Sequence, residues 1–351
     1  MNPTRRKHLL LCAVSVVFSL LVAEMVSRWF LPPPFRPNRG ADSIRSWHQP
    51  DPKIGWILTS DTIRVPHKLV DPQGSLQYDV AYSLSGGQRI TSAHPPNAPA
   101  IIATGCSFTF GHGINDGDTW PWLLQEQMPN YRVMNLGVMA YGTDQALLAA
   151  ERQVLRSPQQ TAAVVLGLAD FQIERNRSTQ GWLATVYPMY KPLFALSPEG
   201  VKYKRDVRFW SPGAVAGHSV LIAHLLNTLA NRVYGIKSHD EARFLTVALI
   251  TTFAHRFQAL GVPLVVVWLP HAGDTAPESR IDNAFVIEHL RAANIPVLVP
   301  DIPRLDNGQF DMHTYAVSTI DWHPNRQYNL LLANQLHQFL LESLQNRMAA
   351  H

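Results

Sequence analysis

From residue 98 onward, short apolar runs alternate with longer amphipathic segments, and this alternation constrains the fold more than any other feature. Runs with the composition of β-strands lie at 98–104, 131–135, 161–168, 262–269 and 295–299. Segments with helical spacing lie at 119–128, 144–156, 241–260, 283–293 and 325–347. Strands that alternate with helices form a parallel sheet flanked by helices. We therefore expect a three-layer α/β/α fold whose ligands bind at the carboxyl ends of the strands.

The N-terminus predicts a membrane segment. Basic residues at 5–7 precede an unbroken run of apolar and small residues from 9 to 23. Glu24 interrupts the run and Met25-Val26 extend it, and about eighteen helical residues nearly cross a hydrocarbon layer of ~30 Å. A cleaved signal peptide shows a similar pattern, but Leu21 lies where a small residue would normally precede a cleavage site. An uncleaved transmembrane anchor over residues 1–30 is therefore the favoured interpretation, and a cleaved peptide is the alternative.

The basic residues before this segment also predict its orientation. Positive charge is retained on the cytoplasmic side of a membrane, so we expect the N-terminus inside and the rest of the chain exported. The predicted location is a bacterial-type inner membrane, crossed once, with the C-terminal domain on the periplasmic side. The proline-rich stretch at 31–47 is expected to be an extended linker.

Two other segments depart from the alternation of strands and helices. Residues 48–97 contain short alternating runs and a Gly86-Gly87 turn, which predict a small β elaboration. The main α/β domain is expected over 98–347. Residues 177–235 break its rhythm and are rich in aromatic side chains. They form either a surface insertion with its own small core or a cap that offers aromatic contacts to a sugar or acyl chain.

Composition excludes some classes of function. The chain has 351 residues, of which 46% are hydrophobic and 16% are charged, so a large core is expected. Its net charge of +4 comes without a basic block interleaved with aromatics, and we expect no nucleic-acid partner. The two cysteines, Cys12 in the apolar N-terminal run and Cys106, are not expected to pair.

Fifteen histidines raise the question of a metal site. Six of them show no paired ligand spacing along the chain, so we expect packing or surface roles for these six. These six are His112, His218, His239, His255, His271 and His313. Neither a metal nor a cofactor is predicted.

A serine on a sharp turn and an Asp/His pair near the C-terminus indicate nucleophilic chemistry. Ser107 lies in the stretch 105–111, directly after an apolar run, and such a turn presents a hydroxyl at the edge of a sheet. A serine hydroxyl is a weak nucleophile unless a base removes its proton. His323 is the candidate base, and Asp321 would orient the ring and favour the imidazolium.

Three blocks in this order resemble the SGNH (GDSL-type) hydrolase superfamily, and residues 51–56 and 78–90 resemble the lead-in of its membrane-anchored envelope members. The blocks are Gly105-Cys106-Ser107-Phe108-Thr109-Phe110-Gly111, Asn135-Leu136-Gly137 and Asp321-Trp322-His323-Pro324-Asn325. The resemblance covers residues 98–345 and implies a flavodoxin-like α/β/α fold with a catalytic triad of Ser107, His323 and Asp321. It also implies an oxyanion hole that includes the backbone N–H groups of Ser107 and Gly137.

The chain departs from the family pattern in two places. The third block of the family reads Gly-x-Asn-Asp, whereas this chain has Gly167-Leu168-Ala169-Asp170 and lacks the asparagine donor. Either the oxyanion hole has two donors, or the side chain of Gln172 or Asn176 supplies the third. The second departure is a single residue, rather than two, between the acid and the base. If that acid fails to reach the ring, Asp311 or a backbone carbonyl would orient it.

Several residues near the motifs have two interpretations. Cys106 stands where the family has an aspartate, and it is either a small buried residue of the turn or a thiolate nucleophile. Arg175 and Asn176 follow the third strand and would bind a carboxylate or a sugar hydroxyl of the substrate, or belong to an ordinary surface ion pair. Trp322 is expected to pack rather than to contact substrate.

These observations favour one function and leave two others open. The favoured function is a serine acyl-ester hydrolase or O-acyltransferase that acts on an acylated cell-envelope glycan or lipid-linked substrate through an acyl-Ser107 intermediate. The alternative is a non-catalytic glycan-binding or envelope-assembly protein on a degenerate hydrolase fold. A thiol enzyme that uses Cys106 is the third. The sequence predicts no particular protein partner.

Overall fold

The chain forms two compact units, and the larger one is built around an eight-stranded sheet. The computed structural model describes residues 3–31, 47–186, 189–209, 219–234 and 238–348. The strands are β1 His48–Asp51, β2 Gly55–Leu58, β3 Ile63–Val70, β4 Leu76–Ser85, β5 Gln88–Arg89, β6 Ala100–Thr104, β7 Arg132–Asn135, β8 Thr161–Leu168, β9 Tyr190–Ser197, β10 Gly200–Arg208, β11 Leu264–Trp268 and β12 Val297–Leu298. The α-helices are α1 Pro3–Phe30, α2 Ser107–Phe110, α3 Trp120–Gln127, α4 Thr143–Arg156, α5 Phe171–Arg177, α6 Gln180–Thr185, α7 Val220–Tyr234, α8 His239–Ala259, α9 Pro277–Ala292, α10 Met312–Tyr315 and α11 Arg326–Met348.

The strand order of the sheet is β12-β11-β8-β6-β7-β5-β4-β3. The strands from β12 to β7 pair in parallel, and β5, β4 and β3 continue the sheet in antiparallel pairing. Parallel strands are buried on both faces, so their sequences are continuous apolar runs. Every residue of β11, for example, is buried. The sheet confirms the α/β fold that the alternation of strands and helices predicts.

Helices cover both faces of the sheet, because the side chains of a strand alternate between its two faces. On one face, Ile101 of β6 belongs to an apolar cluster that also contains Trp120 of α3 and Leu336 of α11. On the other face, the hydroxyl of Thr104 donates to the carbonyl of Ala146 in α4 over 2.8 Å. Helix α8 packs on α4 and α5. The result is the expected three-layer arrangement.

The predicted β elaboration is present, and most of it belongs to the central sheet. Strands β3 and β4 form an antiparallel hairpin in which Ile63 lies opposite Leu84. Gly86 and Gly87 have φ angles of 61° and 79° and form the predicted turn into β5, a conformation that glycine adopts at low cost. Strand β5 then pairs with β7 at the edge of the parallel strands. The β1–β2 hairpin is a separate two-stranded sheet.

The segment 177–235 is divided between the two units. Its hairpin β9–β10 belongs to the larger unit, where the fully buried ammonium of Lys191 binds the carboxylate of Asp144 and lies 3.2 Å from the hydroxyl of Ser178. Two of its aromatic residues, Tyr187 and Trp210, lie outside the described residues. Apart from its two ends, the predicted linker 31–47 also lies outside them.

Helix α1 belongs to the smaller unit, together with α6 and α7. Among the described residues, Thr4–Phe30 is the one helix long and apolar enough to cross a membrane. Its side chains are exposed within the protein, for example 71% for Leu11 and 66% for Phe18. A lipid environment would cover such side chains, as the predicted anchor requires. Insertion of this helix in a membrane, and the side on which the rest of the chain lies, stay predictions.

Replacing Lys191 by methionine should destabilise the larger unit strongly. The substitution leaves the carboxylate of Asp144 buried without its cation, and breaking a buried pair in this way costs about 3–5 kcal/mol. Denaturant unfolding of the purified full chain measures the loss. The matched control, Lys202→Met, changes an exposed lysine of the same hairpin and should have little effect. The double variant Asp144→Leu/Lys191→Met should recover most of the loss, and an unchanged free energy of unfolding in Lys191→Met would contradict the assignment.

Candidate active site

Ser107 lies at the carboxyl end of β6, at the first position of the one-turn helix α2. A Cβ atom at Gly105 would lie 2.8 Å from the carbonyl oxygen of Gly167 on β8, so glycine allows these two strand ends to approach closely. Gly111 has a φ of 88° and ends the helix in the left-handed conformation. This turn holds Ser107 at the sheet edge, where the residue is 4% exposed.

The structure brings Ser107, His323 and Asp321 together. The Nε2 atom of His323 lies 2.9 Å from the hydroxyl oxygen of Ser107. The Nδ1 atom of the same ring lies 2.6 Å from Oδ1 of Asp321. A serine, an imidazole and a carboxylate in this order have the geometry of a nucleophile, its base and the acid that orients the base.

A tight loop explains how an acid two residues before the histidine can bind its ring. The backbone N–H of Val317 donates to the carbonyl of His323 over 2.8 Å, which closes the loop. Inside it, the N–H of Asp321 donates to the hydroxyl of Ser318 over 3.0 Å. The backbone N–H of His323 also donates to Oδ1 of Asp321, 3.1 Å away. The short spacing therefore forms the hydrogen bond to the ring. Asp311 instead caps helix α10.

A tyrosine and two histidines lie on the side of Asp321 that does not bind His323. The phenol of Tyr78 donates to the second carboxylate oxygen, Oδ2, over 3.1 Å. The Nε2 atom of His112 lies 3.6 Å from that oxygen and 3.1 Å from the phenol. The Nε2 atom of His67 also lies 3.2 Å from the phenol oxygen of Tyr78. Each oxygen of Asp321 thus has its own partner, with Oδ1 binding His323 and Oδ2 binding Tyr78.

The groups around the triad differ in charge. Burial alone raises the pKa of Asp321, but hydrogen bonds from His323 and the nearby rings of His323 and His112 outweigh it and hold that pKa below its ordinary value. Burial lowers the pKa of His112, and His323 lowers it further. Burial raises the pKa of Tyr78. Near neutral pH, an ionised Asp321 therefore lies beside a neutral His112 and a neutral Tyr78.

Arg89 of β5 holds the loop that follows α2. Its side chain is fully buried. The guanidinium donates to the carbonyls of Phe110 and Ile114 over 2.9 and 2.7 Å, and to the carboxylate of Asp116 over 2.9 Å. It also lies 4.6 Å above the ring of Tyr82. This buried cation ties the predicted β elaboration to the turn that carries Ser107.

Gly137, the second predicted oxyanion residue, lies against the nucleophile turn. A Cβ atom at this position would collide with the backbone nitrogen of Phe110, so only glycine allows the approach. Its backbone N–H donates to the side-chain oxygen of Asn135 over 3.0 Å. The structure therefore places Gly137 and Ser107 on adjoining pieces of backbone. Their role as oxyanion donors stays a prediction.

The region of the missing asparagine contains one buried amide with an unused donor. The N–H of Ala169 donates to Oε1 of Gln172 over 3.0 Å. Nε2 of Gln172 is buried and has no hydrogen-bond partner among the described residues. Asn176, by contrast, accepts from the N–H of Thr143 over 3.0 Å and donates to the hydroxyl of Thr246 over 2.8 Å. Of the two candidates, Gln172 is the one whose donor has no partner among the described residues.

Arg175 and Cys106 lie next to each other. The guanidinium of Arg175 donates to the carbonyl of Tyr141 over 3.0 Å and lies 4.4 Å from the centre of the Phe171 ring. Burial lowers the pKa of Arg175, and the nearby thiol of Cys106 partly offsets this effect. Cys106 is fully buried. His323 binds the hydroxyl of the neighbouring serine, so the geometry favours the hydroxyl over the thiol as nucleophile. The substrate-binding roles of Arg175 and Asn176 stay predictions.

A second His/Asp pair lies at the same edge of the sheet. Nε2 of His271 lies 2.5 Å from Oδ1 of Asp170, and its Nδ1 accepts from the N–H of Gly273 over 3.0 Å. Because both ring nitrogens are occupied, this imidazole joins the loops after β8 and β11. The ring of Trp322 lies 5.1 Å from the His271 ring and 5.5 Å from that of Phe108. The expectation that Trp322 packs agrees with these contacts.

The sequence patterns do not identify Tyr78 and His112 as part of the site.

A metal ion is the other ligand that this cluster could hold. Potential ligand atoms of His112, Asp321 and His323 lie within 4.8 Å of one another, a spacing compatible with a metal ion. Both ring nitrogens of His323 are in hydrogen bonds to Asp321 and Ser107, however, and a metal would have to displace one of them. The arrangement fits a triad better than a metal centre.

The similarity of this chain to known proteins lies in its structure. No protein-family model matches it, and no curated protein matches it. The chain is similar to a lipolytic protein of the G-D-S-L family from Desulfitobacterium hafniense, with 12% identity and a TM-score of 0.38 over 69% of this chain and 99% of that one. It is similar to the esterase EstA from a Pseudoalteromonas species, with 11% identity and a TM-score of 0.40 over 70% and 99% of the two chains.

A further similarity is to a GDSL-like lipase from Bacteroides thetaiotaomicron, with 12% identity and a TM-score of 0.41 over 72% of this chain and 93% of that one. At such low identity and TM-score, these similarities carry no weight for the fold or for the chemistry of this chain. The inference about the chemistry rests on the contacts around Ser107.

The half-buried His112 should make the folded protein less stable in mild acid. The pKa of His112 is lowered in the fold by burial, whereas in the unfolded chain a histidine titrates near ~6.5. The unfolded state therefore takes up the proton first, and the stability present above that pH is lost as the pH falls below it. His67, whose pKa burial also lowers, acts in the same direction.

We expect the melting temperature of the native chain to fall between pH 7 and 5.5, and that of His112→Gln to fall by less over the same range. Thermal unfolding monitored by circular dichroism at several pH values measures both slopes. His313→Gln, at an exposed position on α10, is the control and should keep the native slope. Identical slopes for the native chain and His112→Gln would show that His112 does not titrate in this way.

Proposed function

We propose that this protein is a serine acyl-ester hydrolase that reacts through an acyl-Ser107 intermediate. The observation that carries the proposal is the pair of hydrogen bonds made by one imidazole. Its Nε2 lies 2.9 Å from the hydroxyl of Ser107 and its Nδ1 lies 2.6 Å from Asp321. Both distances are within the hydrogen-bond reach that a general base and its orienting group require.

In the proposed first step, His323 accepts the proton of Ser107 as the oxygen attacks the ester carbonyl carbon. The ionised Asp321 stabilises the imidazolium that forms. The imidazolium then gives its proton to the leaving alkoxide, and an acyl ester remains on Ser107. In the second step, His323 accepts a proton from an incoming hydroxyl as that oxygen attacks the acyl carbonyl carbon. The imidazolium then gives the proton to the oxygen of Ser107 as the acyl–serine bond breaks, which restores the free serine. Water as the attacking group gives hydrolysis, and a sugar hydroxyl gives O-acyl transfer.

The oxyanion of each tetrahedral intermediate needs donors that are already in place. The backbone N–H groups of Ser107 and Gly137 are the proposed pair. We add the side-chain amide of Gln172 as the third donor. This assignment is supported by the hydrogen bond of Gln172 to Ala169, at the block-three position, and by its buried, unused Nε2.

The proposed substrate is an acylated cell-envelope glycan or a lipid-linked molecule of that kind. The support is the helix α1, which is long and apolar enough to cross a membrane and would hold the enzyme near such substrates. Transfer to an acceptor hydroxyl, rather than hydrolysis, depends on how far water is excluded from the acyl-enzyme. We propose hydrolysis as the basal activity and transfer as the alternative with the native acceptor.

A non-catalytic role in glycan binding or envelope assembly is the second candidate. Two observations favour it: Ala169 lacks a side-chain donor, and the N–H of Gly137 is bonded to Asn135. A protein of this kind would keep the fold and bind glycans without turnover. Activity measurements on simple esters separate the two candidates.

The first test is covalent labelling by a fluorophosphonate probe together with turnover of short-chain p-nitrophenyl esters. We expect the native chain to be labelled and to turn the esters over, and Ser107→Ala to lose labelling. In His323→Ala, turnover should fall by about three orders of magnitude or more, because the hydroxyl loses its base. In Asp321→Asn, the fall should be on the order of 10³–10⁴-fold.

Two variants serve as matched controls for this test. Asp311→Asn removes the other candidate acid and should leave turnover within a few-fold of native. Cys106→Ala should keep both labelling and turnover, since the proposed nucleophile is the hydroxyl of Ser107. Equal labelling of the native chain and Ser107→Ala would remove the serine mechanism. Turnover that His323→Ala leaves intact would mean that the measured hydrolysis does not use this triad.

Gln172→Glu tests the third oxyanion donor. Glutamate keeps an acceptor oxygen for the N–H of Ala169 but replaces the donating amide, so kcat should fall on the order of 100-fold or more. Gln172→Met removes donor and acceptor at similar volume and should lose turnover as well. Circular dichroism checks that both variants are folded. Native kcat in both folded variants would show that Gln172 has only a structural role.

A further inference from the structure

Glu24, near the end of α1, caps the N-terminus of another helix. Its Oε2 accepts hydrogen bonds from the hydroxyl of Ser219 over 2.7 Å and from the N–H of Leu221 over 3.1 Å. Its Oε1 accepts from the N–H of Val220 over 3.0 Å. These are the first residues of α7 and the residue before it, and α7 packs on α1 within the smaller unit. A carboxylate from one helix thus satisfies the free N–H groups that begin another.

The position of Glu24 places this contact at the boundary of the apolar run. The run from 9 to 23 spans about 22 Å at ~1.5 Å per residue, most of a hydrocarbon layer. A carboxylate directly after it is costly in lipid unless it is bonded. Arg28 also donates to Oε1 of Glu24 over 2.8 Å, so the carboxylate has four donors. The hydrogen bonds between Glu24 and the start of α7 therefore stabilise both the ionised carboxylate and the first turn of α7.

The outer face of α7 is an apolar stripe. Four side chains spaced three or four residues apart lie on one side of the helix, and they are Ile222 at 39%, Leu225 at 61%, Leu229 at 49% and Val233 at 51% exposed. The buried residues of α7 are Ala223, Asn227 and Ala230, which lie on the opposite side. This is the reverse of a soluble surface helix, whose exposed side is polar. Something apolar must cover the stripe in the functional protein.

We propose that α1 stays in the mature protein and that α7 is a second membrane-embedded helix, whose apolar stripe contacts the hydrocarbon of the lipid bilayer. The start of α7 is bonded to the carboxylate of Glu24 on α1, and the exposed leucines and valines of α1 require a lipid bilayer. The same bilayer would therefore cover the apolar stripe of α7. The exposed Arg232 lies beside the stripe near the end of α7, where its long side chain can reach a headgroup phosphate.

This proposal also decides between the two interpretations of the N-terminus. Removal of residues 1–23 or more as a signal peptide would separate Glu24 from the helix that carries it. The two N–H groups and the serine hydroxyl at the start of α7 would then lose their shared acceptor. A segment that is discarded after export has no need for a specific contact with the mature fold, and Glu24 makes three.

The test uses the full chain with Cys12 and Cys106 replaced by alanine, in vesicles of phosphatidylethanolamine and phosphatidylglycerol. A single cysteine at Leu225 or Leu229 is labelled with the fluorophore NBD, and doxyl-labelled lipid is the quencher. We expect doxyl lipid to reduce the NBD emission at either position by about twofold or more, since an embedded probe meets the quencher directly. The matched control is Leu155 on α4, which is 60% exposed and lies in the larger unit.

Two further measurements keep the result interpretable if labelling disturbs the helix. N-terminal sequencing and intact mass of the membrane-bound protein should show a chain that retains residues 1–30. In Glu24→Ala, the quenching at Leu225 should weaken, whereas Glu24→Gln, which keeps an acceptor oxygen, should preserve more of it. A mature chain that starts after Glu24, or quenching at Leu225 no greater than at Leu155, would overturn the proposal.

Discussion

The parallel pairing of β6 with β7 and β8 is the constraint on which the site depends. Parallel strands end at the same edge of a sheet, so the residues that follow them, Ser107, Gly137 and Ala169, become neighbours although they are far apart in the chain. Gly105 and Gly137 allow the backbones at this edge to approach more closely than any side chain would permit. A shift of one strand against the next would separate these groups. Backbone hydrogen bonds that take no part in the chemistry therefore set its geometry.

The antiparallel edge of the sheet has a different role. It contributes no residue to the three blocks that resemble the SGNH hydrolases, yet it holds the parts of the site in place. Tyr78 of β4 binds one oxygen of Asp321, and Arg89 of β5 fastens the loop after the nucleophile turn. The parallel strands present the reacting groups, while the antiparallel strands fix the carboxylate and the turn. Burial raises the pKa of Asp321, and His323 and His112, rather than the antiparallel strands, hold it below its ordinary value.

Sequence patterns predict the parts of this structure that repeat or that have a distinctive order. Buried parallel strands and their helices leave strong periodic signals, and a serine turn followed by an Asp/His pair is recognisable along the chain. Tyr78 and His112 leave no such signal, because a lone tyrosine or histidine acquires its role only when distant elements fold together. Helix α7 also escapes prediction, since it lies in 177–235, where the rhythm of strands and helices is broken. The sequence does identify Gln172 as a candidate oxyanion donor, because it lies three residues after Ala169, where the family has an asparagine.

Because Tyr78 lies outside the family blocks, a fragment of this protein that contains only those blocks would be incomplete. A recombinant fragment that begins at residue 98 would include every motif of the superfamily, and its boundary would look natural. It would nevertheless leave Oδ2 of Asp321 without its phenol donor. It would also uncover β7, whose unpaired edge would invite association with other chains. Such a fragment would be prone to aggregate and poorly organised for proton transfer, although no reacting group had been removed.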